Sequence, residues 1–113
     1  MISNSETIHF KVISDSMTPV IPIGSLLNIT TDLSNIKTFD IILFKKSAYL
    51  VVHFVWKNQF DYNGTIITRS LKQFSLDEEP VSKDQIIGQV TNFSISNLVK
   101  FKIYFINLLK RKL

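Results

Sequence analysis

The sequence predicts a mainly β protein, a small coiled domain that resembles a β-barrel and is followed by one C-terminal amphipathic helix. Short runs rich in Ile, Val, Phe and Thr recur at close spacing, with Asp, Asn, Ser and Gly between them. The apolar spacing then changes to a helical one near the end of the chain. With 113 residues, 45 % of them hydrophobic, the chain is long enough for one core. We therefore predict a β domain over residues 1–93 and a helix within residues 94–113.

Six strands are predicted from the apolar runs and the turn residues that separate them. In chain order they cover residues 7–13, 25–30, 39–44, 49–56, 65–69 and 86–93. The first run alternates as a half-buried strand does, and Pro19, Pro22 and Gly24 force a turn after it. The segment 45–47 is typical of a hairpin turn between the third and fourth strands.

The C-terminal segment has the pattern of an amphipathic helix capped by Ser94 or Ser96. Apolar residues recur at helical spacing at Leu98, Phe101, Phe105, Leu108 and Leu109. A narrow polar face holds Lys100, Asn107 and Arg111. The apolar part is too short to cross a bilayer. Two interpretations remain open: Leu98–Leu113 lies at a membrane surface with its basic end towards the head groups, or the helix packs on the β domain or on a partner.

Composition excludes several kinds of site. The chain has no Cys, so no disulfide, Cys-based zinc site or thiol nucleophile is expected. Only two His are present and they are far apart in sequence, which makes a transition-metal site improbable; no cofactor is predicted. The net charge of +4 is modest and the aromatic residues do not match an RNA-binding motif, so no nucleic-acid partner is predicted.

The sequence also bears on location. The polar segment 1–6 has neither the basic nor the apolar region of a signal peptide, and the chain has no apolar run of about 18 residues. A cytoplasmic or peripheral membrane protein is therefore expected.

One turn combines nucleophilic and turn-forming residues, the segment SDSMTP at residues 14–19. A serine at a strand-to-turn junction, such as Ser16, is exposed yet rigidly placed, as a nucleophile must be. His53, inside an apolar strand, is a candidate general base; its alternative role is that of a hydrogen-bonded histidine in the core or on the sheet face. His9 is interpreted as a surface residue. Seven acids could orient the base, and composition does not choose among them: Asp15, Asp40, Asp61, Asp77, Glu78, Glu79 and Asp84.

The order of four motifs resembles that of type I signal peptidases and of the wider S24/S26 serine peptidase group. The motifs are SDSMTP followed by GS at residues 24–25, FDIILF at 39–44, LVVHFV at 50–55, and a last block that runs from TRSL at 68–71 to IIGQV at 86–90. In having His53 at this position the chain resembles the endoplasmic-reticulum and archaeal type of these peptidases, in which the general base is His. Many bacterial members have Lys there.

The resemblance implies a fold of the signal peptidase and LexA C-terminal type and the activity of a serine endopeptidase. Ser16 matches the nucleophile, His53 the general base and Asp77 the acid that orients it. Ser14 matches the residue whose hydroxyl assists the backbone N–H of Ser16 in holding the oxyanion. The substrate would be a leader or exported peptide, bound as an added β-strand along residues 7–13 and cleaved through an acyl-enzyme.

Some residues differ from the family pattern. Asp15 and Phe39 replace glycines, and Ser25 and Leu71 replace aspartates. A negative charge at Asp15 would hinder an oxyanion, and loss of an acid at position 71 would weaken the support of the site. A second interpretation is therefore a catalytically weak or inactive module that retains the peptide groove.

Overall fold

The protein is mainly β, as predicted, with seven strands in one antiparallel sheet. The computed structural model describes residues 8–12 and 14–112. The strands are β1 (Ile8–Lys11), β2 (Leu26–Thr30), β3 (Ile41–Lys46), β4 (Tyr49–Gln59), β5 (Thr65–Arg69), β6 (Val81–Ser82) and β7 (Ile86–Val90). The α-helices are α1 (Phe60–Asn63), a single turn, and α2 (Asn97–Lys112), and a short 3-10 helix (Lys83–Gln85) joins β6 to β7.

The predicted barrel-like closure is wrong. The strand order is β1-β2-β7-β3-β4-β5-β6, and within the described residues β1 pairs only with β2 and β6 only with β5. Both strands are therefore edges of an open sheet. Most of the observed pairings join strands that are adjacent in sequence and form readily as hairpins. Closure into a barrel would require a further pairing between β1 and β6, which are far apart in sequence.

The six predicted strands correspond to observed ones: the fifth has the predicted ends, and the other five differ at one or both ends. The fourth is longer than predicted and continues through the polar residues to Gln59. The two-residue β6 and the single-turn α1 were not predicted, because neither has room for a hydrophobic period. Residues 7 and 13 of the first predicted strand, the segment 1–6 and residue 113 lie outside the described residues.

Both faces of the sheet are covered by apolar packing. Ile41 and Leu43 of β3 belong to one core cluster, whereas Ile42 and Phe44 belong to a second cluster on the opposite face. Successive side chains of a strand point to opposite faces, so this strand must be apolar at every position. Two-sided burial therefore explains the uninterrupted run IILF at 41–44, which shows no alternation.

Helix α2 contacts the sheet partly through polar side chains. Ile103, on the inner side of the helix, is fully buried. Asn107 accepts a hydrogen bond of 2.8 Å from Arg69, and the Lys100 ammonium lies 5.6 Å from the centre of the Phe39 ring. Two members of the predicted polar face thus point inwards. Within the described residues, no helix combines the length and hydrophobicity that a membrane crossing requires.

Phe39 links the sheet to α2 from a strained backbone position. Its φ is +76°, a region that favours glycine, and the chain has Phe where the resemblance expects Gly. The buried ring stacks on Phe54 at 5.7 Å between centroids and meets Trp56 at 6.0 Å and Tyr104 at 5.3 Å. The packing of this aromatic cluster offsets the cost of the backbone conformation.

We expect Phe39→Gly to destabilise the protein although glycine suits its backbone. Loss of the ring removes about 3–5 kcal/mol of packing, and relief of the positive φ returns about 1 kcal/mol. The free energy of unfolding in urea should therefore fall by about 2–4 kcal/mol.

Ser47 is the matched control, because it also has a positive φ, +54°, but is exposed and holds no ring in the core. Ser47→Gly should raise the free energy of unfolding slightly, by at most about 1 kcal/mol. If Phe39→Gly were as stable as Ser47→Gly, the aromatic cluster would contribute nothing to the docking of α2.

Candidate active site

Ser16 lies in a tight turn between β1 and β2 that is fixed at both ends. Met17 and Ile21 anchor the turn in the core, and the Ile21 N–H donates to the Met17 carbonyl at 2.9 Å. The N–H groups of Leu71 and Lys72 donate to the Ser16 carbonyl at 3.0 and 3.3 Å. The segment that follows β5 therefore holds the backbone of the serine in place, although Ser16 itself is only half-buried.

Ser16 and His53 line the same cavity. Its volume is about 430 Å³, and its polar lining also includes Ser14 and Lys11. The remaining wall is mostly aliphatic and comes from the turn with its flanking residue Val12 and from strands β2, β3 and β4: Val12, Met17, Ile21, Leu27, Leu43, Leu50, Val51 and Val52, with Tyr49 at the hairpin. Such a cavity offers apolar surface beside two groups capable of acyl-transfer chemistry.

His53 is placed by β4 and held by a carboxylate behind it. It pairs with Ile42 across the β3–β4 ladder, and its ring meets that of Phe44 edge-on at 6.1 Å. Its Nδ1 lies 2.5 Å from Oε1 of Glu78, and the Thr68 hydroxyl donates to the same oxygen at 3.1 Å. The ring thus separates the cavity of Ser16 from the smaller pocket that holds Glu78.

The ionisation of Glu78 fixes the tautomer of His53. Burial alone would raise the pKa of the Glu78 carboxyl, but the hydrogen bond and charge of His53, with the Thr68 hydroxyl and Lys46, together lower that pKa below its ordinary value. An ionised carboxylate only accepts hydrogen bonds, so Nδ1 of His53 carries the proton that it donates. In the neutral ring Nε2 then has the lone pair that a general base needs.

The acid on His53 is Glu78 and not Asp77, so the assignment from the sequence is corrected. Asp77 Oδ1 accepts from Nε of Arg69 at 2.7 Å. The two neighbouring acids therefore have different partners, Arg69 for Asp77 and His53 for Glu78. The Glu78 N–H donates to the Thr68 carbonyl at 3.1 Å, and this backbone bond ties Glu78 to β5. Glu78 was among the seven candidates, but no local pattern distinguished it; Thr68 was not predicted.

Ser14 lies beside the predicted oxyanion site. Its hydroxyl accepts the Ser16 backbone N–H at 3.1 Å. The two groups implied by the resemblance are therefore adjacent, but the N–H is engaged with Ser14 instead of being free for a substrate oxygen. A substrate carbonyl would have to displace the Ser14 hydroxyl from this N–H.

Ser16 and His53 are not joined by a hydrogen bond between their side chains in the described part of the chain. The Ser16 hydroxyl has no hydrogen-bond partner among the described residues, and the hydrogen bond of the His53 ring is made by Nδ1. Catalytic hydrogen bonds often form or shorten only when substrate binds. The two residues are therefore paired here because both line the same cavity. The His9 side chain lies outside the described residues.

The residues that differ from the family pattern have clear structural roles. Asp15 is exposed, pairs with Lys72 at 3.3 Å and is not among the residues that line the cavity. Its charge is thus directed away from the serine. Leu71 packs against the core beneath the turn. Ser25 donates from its hydroxyl to the Pro22 carbonyl at 2.6 Å and closes the loop before β2.

Comparison of the chain with models of known protein families, with curated proteins and with solved structures found no match. Among the described residues no group of three or more His, Asp or Glu side chains is arranged to hold a metal ion.

Proposed function

We propose that this chain is a serine endopeptidase of the signal-peptidase-like type, with Ser16 as nucleophile, His53 as general base and Glu78 as the residue that positions His53. The observation that carries the proposal is the single cavity lined by Ser16 and by a histidine whose far nitrogen is bonded to a carboxylate. A base oriented by a third group beside a hydroxyl is the recurrent arrangement of covalent hydrolases.

In the proposed reaction Ser16 Oγ attacks the carbonyl carbon of the scissile peptide and its proton passes to His53 Nε2. The tetrahedral oxyanion takes the Ser16 N–H from Ser14, whose hydroxyl rotates to donate a second hydrogen bond. Collapse breaks the C–N bond, and Nε2 returns the proton to the leaving amine. Nε2 then takes a proton from a water molecule, whose oxygen attacks the acyl carbon. The ester C–O bond breaks, and Nε2 returns that proton to Ser16 Oγ.

The substrate proposed is a leader or exported peptide that binds in an extended form. Among the residues that the structure describes, β1 pairs only with β2, and it precedes the serine turn, so its other edge is suited to an added strand. The aliphatic cavity wall favours an apolar side chain next to the cleaved bond.

A serine-directed acylating probe, such as a fluorophosphonate, tests the proposal. We expect wild-type protein to be labelled on Ser16, and Ser16→Ala and His53→Ala to lose labelling by a factor of about 10³ or more, because the hydroxyl is a weak nucleophile without its base. Mass spectrometry locates the adduct.

Ser34→Ala is the matched control, since Ser34 is exposed and bonded to Asp32 in a loop outside the cavity. It should label like the wild type. Wild-type protein that stays unlabelled at high probe concentration would rule out the enzyme.

The second candidate is a peptide-binding module that retains the groove without efficient catalysis. It is favoured by one observation, the Ser14 hydroxyl that occupies the Ser16 N–H. An extended peptide that binds wild type and Ser16→Ala equally, with no product from either, would support the module over the peptidase.

A further inference from the structure

The outward face of α2 is apolar. Five side chains on this face, about half or more exposed, follow the helical spacing and include the highly exposed Leu98 (80 %) and Phe101 (68 %): Leu98, Phe101, Phe105, Leu108 and Leu109. The Phe101 and Phe105 rings stack at 6.2 Å between centroids. We call these five residues the outer face. An amphipathic helix of a soluble domain normally buries such a stripe.

The opposite side of α2 is already occupied. Ile103 is fully buried, Asn107 is bonded to Arg69, and the Lys110 ammonium donates to the Ser75 carbonyl at 2.9 Å. Arg69 is itself buried and bonded to Asp77 and to the Phe74 carbonyl. These contacts fix the rotation of the helix about its axis. Turning the outer face inwards would leave a buried guanidinium without one of its partners.

The charge of this segment is of one sign. Residues 94–113 contain no Asp or Glu and five basic residues: Lys100, Lys102, Lys110, Arg111 and Lys112. Lys102 is exposed at the margin of the outer face. A second copy placed face to face would bring two such sets of charges together, which is unfavourable. An anionic lipid surface instead provides both an apolar layer and the opposite charge.

We infer that the outer face of α2 is a docking surface for an anionic membrane, with the helix lying in the plane of the interface and not across it. A 16-residue helix is about 24 Å long, less than the hydrocarbon thickness of a bilayer. The outer face enters the boundary between head groups and acyl chains, while the body of the protein remains on the aqueous side. This inference is independent of catalysis by Ser16.

Flotation of the full chain with lipid vesicles tests the inference. We expect wild-type protein to float with vesicles of phosphatidylcholine mixed with phosphatidylglycerol, and to float less with phosphatidylcholine alone or at high salt. The double variant Phe101→Gln/Phe105→Gln should bind the anionic vesicles at least about tenfold more weakly, because two apolar rings are lost from the interface.

Tyr62→Gln is the matched control, since Tyr62 is an aromatic residue on α1 that is 86 % exposed. It should float like the wild type, and circular dichroism should show that all variants are folded. Equal flotation of the wild type and the double variant, or no flotation of the wild type, would overturn the inference. So would a dimer in lipid-free solution that the double variant abolishes, because the outer face would then be a protein interface.

Discussion

Replacement of Glu78 by Gln should reduce the rate of acylation of Ser16 by about 100-fold or more, without unfolding the protein. The Gln amide can donate to Nδ1 of His53, which then carries its proton on Nε2. That tautomer cannot accept the proton of Ser16 Oγ. The second-order rate of labelling by the acylating probe measures the effect.

Asp77→Asn is the matched control and decides between the two acids. Asp77 contacts Arg69, which keeps its bonds to the Phe74 carbonyl and to Asn107 in the variant. We expect labelling within about fivefold of the wild type. Glu78→Asp should retain part of the rate, since a carboxylate remains. Loss of labelling in Asp77→Asn with normal labelling in Glu78→Gln would return the role to Asp77.

The loss of stability in Glu78→Gln, relative to the wild type, should depend on pH. Folding lowers the pKa of Glu78 from its ordinary value of 4.5, so the folded state binds fewer protons than the unfolded state over this range. The stabilising contribution of the carboxylate is therefore complete above pH 4.5 and is lost as the pH falls through the folded pKa. In urea unfolding, the difference between wild type and Glu78→Gln should shrink as the solution is made more acidic.

Replacement of Gly88 by Ala should lower the free energy of unfolding by about 3 kcal/mol. Gly88 lies in β7, between β2 and β3, where a Cβ would stand 2.1 Å from Cγ2 of Ile29 and 2.6 Å from the carbonyl oxygen of Thr30. The second atom belongs to the backbone, so the strands must separate to admit the methyl group. Chemical unfolding of both proteins measures the difference.

Gly64→Ala separates this clash from a general effect of glycine. Gly64 has a φ of +76°, but no atom lies within 4 Å of the position that a Cβ would take, so its substitution carries only backbone strain of about 1 kcal/mol. Equal losses in the two variants would show that the contact between β7 and β2 relaxes without cost.

Sequence patterns predicted correctly the features that a single segment specifies. Runs of β-branched and aromatic residues located the strands, and helical spacing located α2. Prediction failed where two distant segments had to be compared. No local pattern shows whether β1 and β6 pair with each other. The open sheet depends on which distant strands pair, and that cannot be read from any one segment.

By itself the sequence determined a mainly β chain with a terminal amphipathic helix, because the spacing of apolar residues along the chain distinguishes strands from helices. It also singled out Ser16 and His53, which line one cavity. Only the tertiary structure assigned Glu78 to His53, since the two residues are 25 positions apart in the chain and are brought together by the packing of the segment after β5 against β4. The tertiary structure also sets which face of α2 points outwards. Arg69 binds Asn107 on the inner side of the helix, and the apolar face is therefore exposed.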